Sequence, residues 1–131
     1  MSSKSSTINN QFMKASEKQI QDSIIDWLSA SGIFHYRQNT GAFSKEYTRK
    51  RDGKVRRSFV RFGTPGATDI VAVYNGVYIG IEVKDNDGKM SEDQENFRYA
   101  LCRAGGIYLL VRSVDDVIIS FNSLNSLKKI I

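Results

Sequence analysis

Residues 63–84 read GTPGATDIVAVYNGVYIGIEVK. Two apolar runs, 68–74 and 77–84, meet at Asn75-Gly76, a residue pair that favours a two-residue hairpin turn. That turn pairs Tyr74 with Val77, and each step outward pairs the next two residues, so Asp69 falls opposite Glu82. Lys84, two residues past Glu82, shares their face with Val71, Val73, Tyr78 and Gly80. Ile70, Ala72, Tyr74, Val77, Ile79, Ile81 and Val83 make the other face. Both faces are apolar, which predicts a sheet covered on both sides.

Two carboxylates opposed in such a hairpin repel each other, with Cβ atoms ~5 Å apart. A shared proton, Lys84 or a divalent cation would relieve them. A hard cation such as Mg²⁺ prefers carboxylate oxygens and leaves positions for water and phosphate. A lysine beside such a site can orient an attacking water or offset charge on a phosphate. The plainer reading is a Glu82–Lys84 ion pair on a solvated edge. It leaves Asp69 opposite Glu82 unexplained, so we expect a metal site at Asp69 and Glu82.

The rest of the chain supplies helices and further strands. Ser16 and Gln19 form a capping box for a helix with Ile20, Ile24, Trp27, Leu28 and Ser31 on one stripe, ending at Gly32. Glu17 extends that stripe inward. It either faces a partner or sits at the helix N-terminus to favour the dipole. Residues 33–37 read as a strand. After a loop at 85–90, Ser91 and Gln94 cap a second helix with Phe97, Ala100, Leu101 and Ala104 as its apolar stripe. Gln94 points inward, or simply completes the cap. Residues 107–111 read as a buried strand, parallel to a neighbour because a helix precedes it. Residues 113–121 read as a short helix or an edge element, and 124–131 as a helical tail. The whole is one α/β domain over 15–131 with a mixed sheet, after a flexible polar tail at 1–14.

Charge is unevenly placed. The chain carries +5 overall. Arg37, Lys45, Arg49, Lys50, Arg51, Lys54, Arg56, Arg57 and Arg61 face only Glu46 and Asp52 within their segment, so the remainder is net negative. Such a block is either a solvated loop or the footprint of a polyanion. Tyr47, Phe59 and Phe62 lie within it, and Asp52-Gly53 predicts a two-residue hairpin turn. That turn would set Arg51 opposite Lys54 and Arg49 opposite Arg56, all on one face, with Lys50 on the other. A basic hairpin over about 43–62 favours nucleic acid.

Other features exclude. The one cysteine, Cys102, rules out an internal disulfide and a Cys-rich zinc site. No apolar run approaches the ~20 residues of a membrane span, and MSSKSSTINN has no signal-peptide core. A cytoplasmic, reducing setting is expected.

RFGTPGATDIVAVYNGVYIGIEVK, then GKMSEDQENF and AGGIYLLV, resembles the VRR-NUC group of PD-(D/E)xK nucleases. The shared pattern is a G-x-P-G-x-x-D turn, E-x-K on the next strand, a Ser-x-x-Gln helix start and a glycine before a strand. QNTGAF at 38–43 resembles that group's Asn-x-Gly segment. Thr68 stands where the motif has proline. The resemblance implies a restriction-endonuclease-like core with the basic hairpin inserted. It implies that Asp69, Glu82 and the Val83 carbonyl bind Mg²⁺ or Mn²⁺, completed by Glu17. Lys84 would be the catalytic lysine, and Gln94 would lie near the metal or the scissile phosphate. It implies hydrolysis of DNA to 5′-phosphate ends. Virus-type standalone members, phage proteins among them, act on branched DNA such as four-way (Holliday) junctions, which implies a homodimer. Arg49, Arg51, Lys54, Arg56, Arg57, Arg61 and Lys89 are the candidate DNA contacts. The alternative is a non-catalytic nucleic-acid-binding module, which would not need Asp69 opposed to Glu82.

Overall fold

The structure, a computed structural model, describes residues 15–38 and 41–130. The polar tail expected at 1–14 and the asparagine of the Asn-x-Gly segment lie outside the described residues. Among the described residues no helix is long and apolar enough to cross a membrane.

Helix α1 (Glu17–Ala30) begins as its capping box dictates. The Ser16 hydroxyl accepts from the Gln19 N–H at 3.1 Å, and the Gln19 side chain accepts from the Ser16 N–H at 2.9 Å. Ile20, Ile24 and Leu28 are buried, while Ser31 caps the C-terminus and stays exposed. Strand β1 (Phe34–Arg37) follows, then β2 (Gly41–Thr48) and β3 (Val55–Phe62). Strands β4 (Ile70–Tyr74) and β5 (Val77–Val83) are the apolar hairpin. Helix α2 (Glu92–Arg103), strand β6 (Ile107–Val111) and helix α3 (Val114–Ile130) complete the chain.

A mixed four-stranded sheet has the order β1-β4-β5-β6, with β6 parallel to β5 and the other pairs antiparallel. Strands β2 and β3 form a separate two-stranded sheet. The β4–β5 register is the one its turn dictates: Tyr74 pairs with Val77 and Ile70 with Ile81. Asn75 and Gly76 both have positive φ, 53° and 80°, as a type I′ turn requires. One sheet face, with Ile70, Ala72, Ile79, Ile81, Val83 and Val111, packs against Ile24 and Leu28 of α1 and Val117 and Phe121 of α3. Phe121 meets Trp27 and Tyr74 edge-on, at centroid distances of 5.5 and 5.3 Å. Each fully buried isoleucine here contributes ~1.5–3 kcal/mol.

Four sequence expectations need correction. The basic hairpin does not turn on two residues: Thr48 pairs with Val55, and the Arg49 N–H donates to the Lys54 carbonyl at 2.9 Å, leaving Lys50 to Gly53 as a four-residue loop. The Asp52 side chain decides this, accepting from the Lys54 N–H at 3.1 Å and pairing with Arg49 at 2.5 Å. Gly53 takes φ 67° and donates back to the Arg49 carbonyl. Arg51 therefore leaves the strand face, and Arg49 faces Lys54 rather than Arg56.

Second, the strands stop short of 68–69 and 84. Between β4 and β5 side chains take over there, with Asp69 accepting the Val83 N–H and the Thr68 hydroxyl donating to the Ile70 carbonyl, while the backbone bonds outward to Gln38 and Val111 continue. Third, α2 buries none of its residues, and Ala100 and Ala104 are exposed. The helix covers only part of its sheet face, so the described residues do not enclose the sheet on both sides. Fourth, 114–130 is one helix. No glycine or proline interrupts it, and Val117, Phe121 and Leu124 keep helical spacing against the core.

Candidate metal-binding and nucleic-acid site

The face of the sheet turned away from the core is a grid set by three registers. Extending β1–β4 by one pair puts Gln38 beside Asp69, and the Gln38 N–H donates to the Asp69 carbonyl at 2.9 Å. Extending β4–β5 by one pair puts Asp69 beside Glu82, and Glu82 pairs with Leu110. One row across the sheet is thus Gln38, Asp69, Glu82 and Leu110. The next is Tyr36, Val71, Gly80 and Tyr108, and the third begins Phe34, Val73 and Tyr78.

The carboxylates are held unlike each other. Asp69 is half-buried, and its Oδ2 accepts from the Val83 N–H at 2.9 Å. Glu82 is only 4% exposed. Its Oε1 accepts from the Gln94 amide at 2.8 Å, and among the described residues its Oε2 is buried with no hydrogen-bond donor in ideal reach. Burial first, and then the charge of Asp69, pushes the Glu82 carboxyl up to about 8. Burial likewise raises Asp69, against the lowering effect of the Val83 hydrogen bond. The pair, hydrogen-bonded side chain to side chain, holds a proton more tightly than ordinary carboxyls, and a hard divalent cation can take that proton's place. The residues present fit such an ion.

Gln94 reaches Glu82 because the loop at 63–68 lies tight under the start of α2. Gly66 has φ 75°, and a Cβ there would stand 2.1 Å from the Asp93 carbonyl oxygen and 2.7 Å from the Gln94 nitrogen. Gly80 gives similar room: a Cβ would meet the Thr68 side chain at 2.8 Å and Leu101 at 3.2 Å. Gln94 therefore both caps the helix and turns its amide toward Glu82. Its Oε1 caps the helix through the Ser91 N–H at 2.9 Å, and its amide nitrogen holds Glu82.

Lys84 is half-buried just past β5, and its charge favours ionisation of both carboxylates. Glu82 lies on an inner strand and is not a solvated edge residue. Glu17 is half-buried, accepts from the Asp85 N–H at 3.3 Å, and adds its charge to those acting on Asp69. Among the described residues no three His, Cys, Asp or Glu side chains cluster closely enough to hold a metal by themselves. Two carboxylates and the adjoining backbone are what this face offers.

Sequence reasoning missed Gln38 and Tyr108. Gln38 Oε1 and the Tyr108 hydroxyl are buried without partners among the described residues. The Tyr108 hydroxyl is raised by burial, then by Glu82 and Asp69. Only the β1–β4 and β5–β6 registers could have placed them.

The basic residues divide between the hairpin faces. Lys45, Arg49, Lys54 and Arg56 share one, with Tyr47; Arg57 and Arg61 share the other, with Phe59 and Glu46. Arg57 pairs with Glu46 at 3.3 Å, and Arg61 stacks 5.7 Å from the Phe59 ring centroid. Lys50 and Arg51 are exposed in the loop, and Lys89 is exposed ahead of α2. A cleft of about 660 Å³ lies elsewhere, lined by Gln19, Asp22, Ser23, Asp85 and Arg112 among others. It does not include the carboxylate pair, and a site for a polymer's phosphate needs no enclosing pocket.

No protein-family model matches the chain, and no curated protein matches it.

Proposed function

We propose that the protein is a metal-dependent DNA endonuclease on a restriction-endonuclease-like core, selective for branched DNA such as four-way junctions and working as a homodimer. One observation carries this reading: a nearly buried glutamate, Glu82, with one oxygen unpartnered among the described residues, set beside Asp69 with Lys84 two residues on and held from α2 by Gln94. A structural role would be better served by apolar residues, since this pair must either keep a proton or find a cation.

Asp69, Glu82 and the Val83 carbonyl would hold Mg²⁺ or Mn²⁺, with Glu17 behind them. Such an ion, when bound, acidifies water and offsets charge on a phosphate. The chain's own groups do the rest. Gln94 restrains Glu82 Oε1, so the carboxylate stays in one orientation with Oε2 free. The Lys84 ammonium, whose charge is felt at both carboxyls, would orient an attacking water and meet charge growing on phosphate oxygens. The hairpin cations hold backbone phosphates and give affinity without base readout.

Labelled duplex, single strand, flap, splayed arm and four-way junction, incubated with Mg²⁺, Mn²⁺ or EDTA, test the reading. Metal-dependent cleavage of branched substrates supports it. Binding without cleavage of any substrate would assign the protein to the non-catalytic alternative.

A further inference from the structure

The site face continues past the carboxylates into an open apolar surface. Phe34 and Tyr36 on edge strand β1 are 65% and 46% exposed, with ring centroids 6.3 Å apart in an edge-to-face pair. Val73, directly opposite Phe34, is 38% exposed, and Tyr78 completes that row. Tyr36 belongs to the row next to Gln38, Asp69 and Glu82, one strand repeat of ~7 Å away. The core uses none of these rings, since it packs on the opposite face. Strand β1 then leads directly into the basic hairpin, where no carboxylate pairs with Lys54 or Arg56 among the described residues.

A partner suited to this surface presents flat apolar faces to the rings and a polyanionic backbone to the hairpin cations. Continuous duplex hides its base faces in the stack and offers only edges and phosphates. Unpaired nucleotides offer both rings and charge.

We propose that Phe34 and Tyr36 form a stacking platform for unpaired DNA bases beside the Asp69–Glu82 pair. The bond cut then lies next to an unpaired stretch, as at a branch point. The position of the cut rests on the nuclease reading; the stacking does not.

The test uses a short oligonucleotide carrying 2-aminopurine, as single strand and as duplex, bound to the full chain in EDTA. Wild type should quench the single strand's fluorescence. F34A/Y36A should lose the quenching and weaken single-strand binding about tenfold or more, with duplex binding within about twofold. F34L/Y36L, which keeps apolar bulk but no ring, should lose the quenching too. Unchanged quenching, or equal weakening toward both DNA forms, overturns the platform. So does a wild-type dimer that the double variant turns into monomer in sedimentation, because a second copy then covers the rings. If quenching is selective but no DNA is cut in Mg²⁺, the platform stands and the nuclease reading falls.

Discussion

Gln94 bridges two structures at once: its side-chain oxygen caps α2 at the Ser91 N–H, and its side-chain nitrogen donates to Glu82 Oε1 at 2.8 Å. Cap and site can be separated by mutation. Ser91→Ala removes the cap acceptor and should cost ~1 kcal/mol of stability while sparing Mg²⁺ affinity. Gln94→Ala should cost a similar amount and also weaken Mg²⁺ binding, because Glu82 loses its restraint. Thermal melts and calorimetric Mg²⁺ titrations of the two variants check the split. Equal Mg²⁺ affinity in both would leave Gln94 as a cap alone.

The Glu82 carboxyl, held up at about 8 in the fold against 4.5 ordinarily, sets a pH dependence. Its folded pKa is raised, so the folded state binds more protons than the unfolded one between those values. Stability is then fullest below about 4.5 and is lost as pH rises toward 8. Asp69 shifts in the same direction. Melting in EDTA should therefore fall from pH 5 to pH 8, and Glu82→Gln should flatten the fall. Mg²⁺ should raise the melting temperature more at pH 8 than at pH 5, because it binds the ionised carboxylates. A melting temperature that climbs steadily to pH 8 in EDTA would contradict the electrostatics described.

Cleavage and binding should part at the carboxylates. Asp69→Asn, Glu82→Gln and Lys84→Ala should each lower turnover by about 10²-fold or more. The two carboxylate variants should bind DNA as tightly or more tightly, since removing negative charge eases phosphate approach. Gel cleavage assays with parallel fluorescence anisotropy measure both. Substantial cleavage by any of the three would move the site elsewhere.

How far the sequence carried the fold depended on how locally each feature is encoded. Asn75-Gly76 sets the β4–β5 register by itself, so Asp69 beside Glu82 was legible. The Ser16 and Ser91 caps were legible for the same reason. The Asp52-Gly53 turn was not, because Asp-Gly suits a two-residue turn and a four-residue loop alike. The side-chain bonds of Asp52 choose between them. Gln38 and Tyr108 were hidden because their strands pair across long connections, where packing and not a turn fixes the register. The exposed rings of β1 were missed because an apolar strand reads as buried until it is known that α2 stops short of it.

The revised hairpin register changes which cations should matter for DNA. Lys54 and Arg56 share a face with Lys45 and Tyr47 and have no carboxylate partner among the described residues. Arg57, on the other face, already pairs with Glu46, and Arg49 with Asp52. Neutralising Lys54 and Arg56 together should weaken binding to every DNA by a similar factor. It should also flatten the slope of log affinity against log salt by ~0.9 for each phosphate no longer neutralised. Arg57→Ala should do less, because part of its charge is already answered by Glu46. The Asp69–Glu82 pair lies on a different sheet, so saturating DNA should restore most of the turnover of the Lys54, Arg56 variant. Anisotropy titrations over a range of salt decide it. If Arg57→Ala matches the loss from Arg56→Ala, DNA runs along the Phe59 face instead, and if neither alters the salt slope, the hairpin does not carry the backbone.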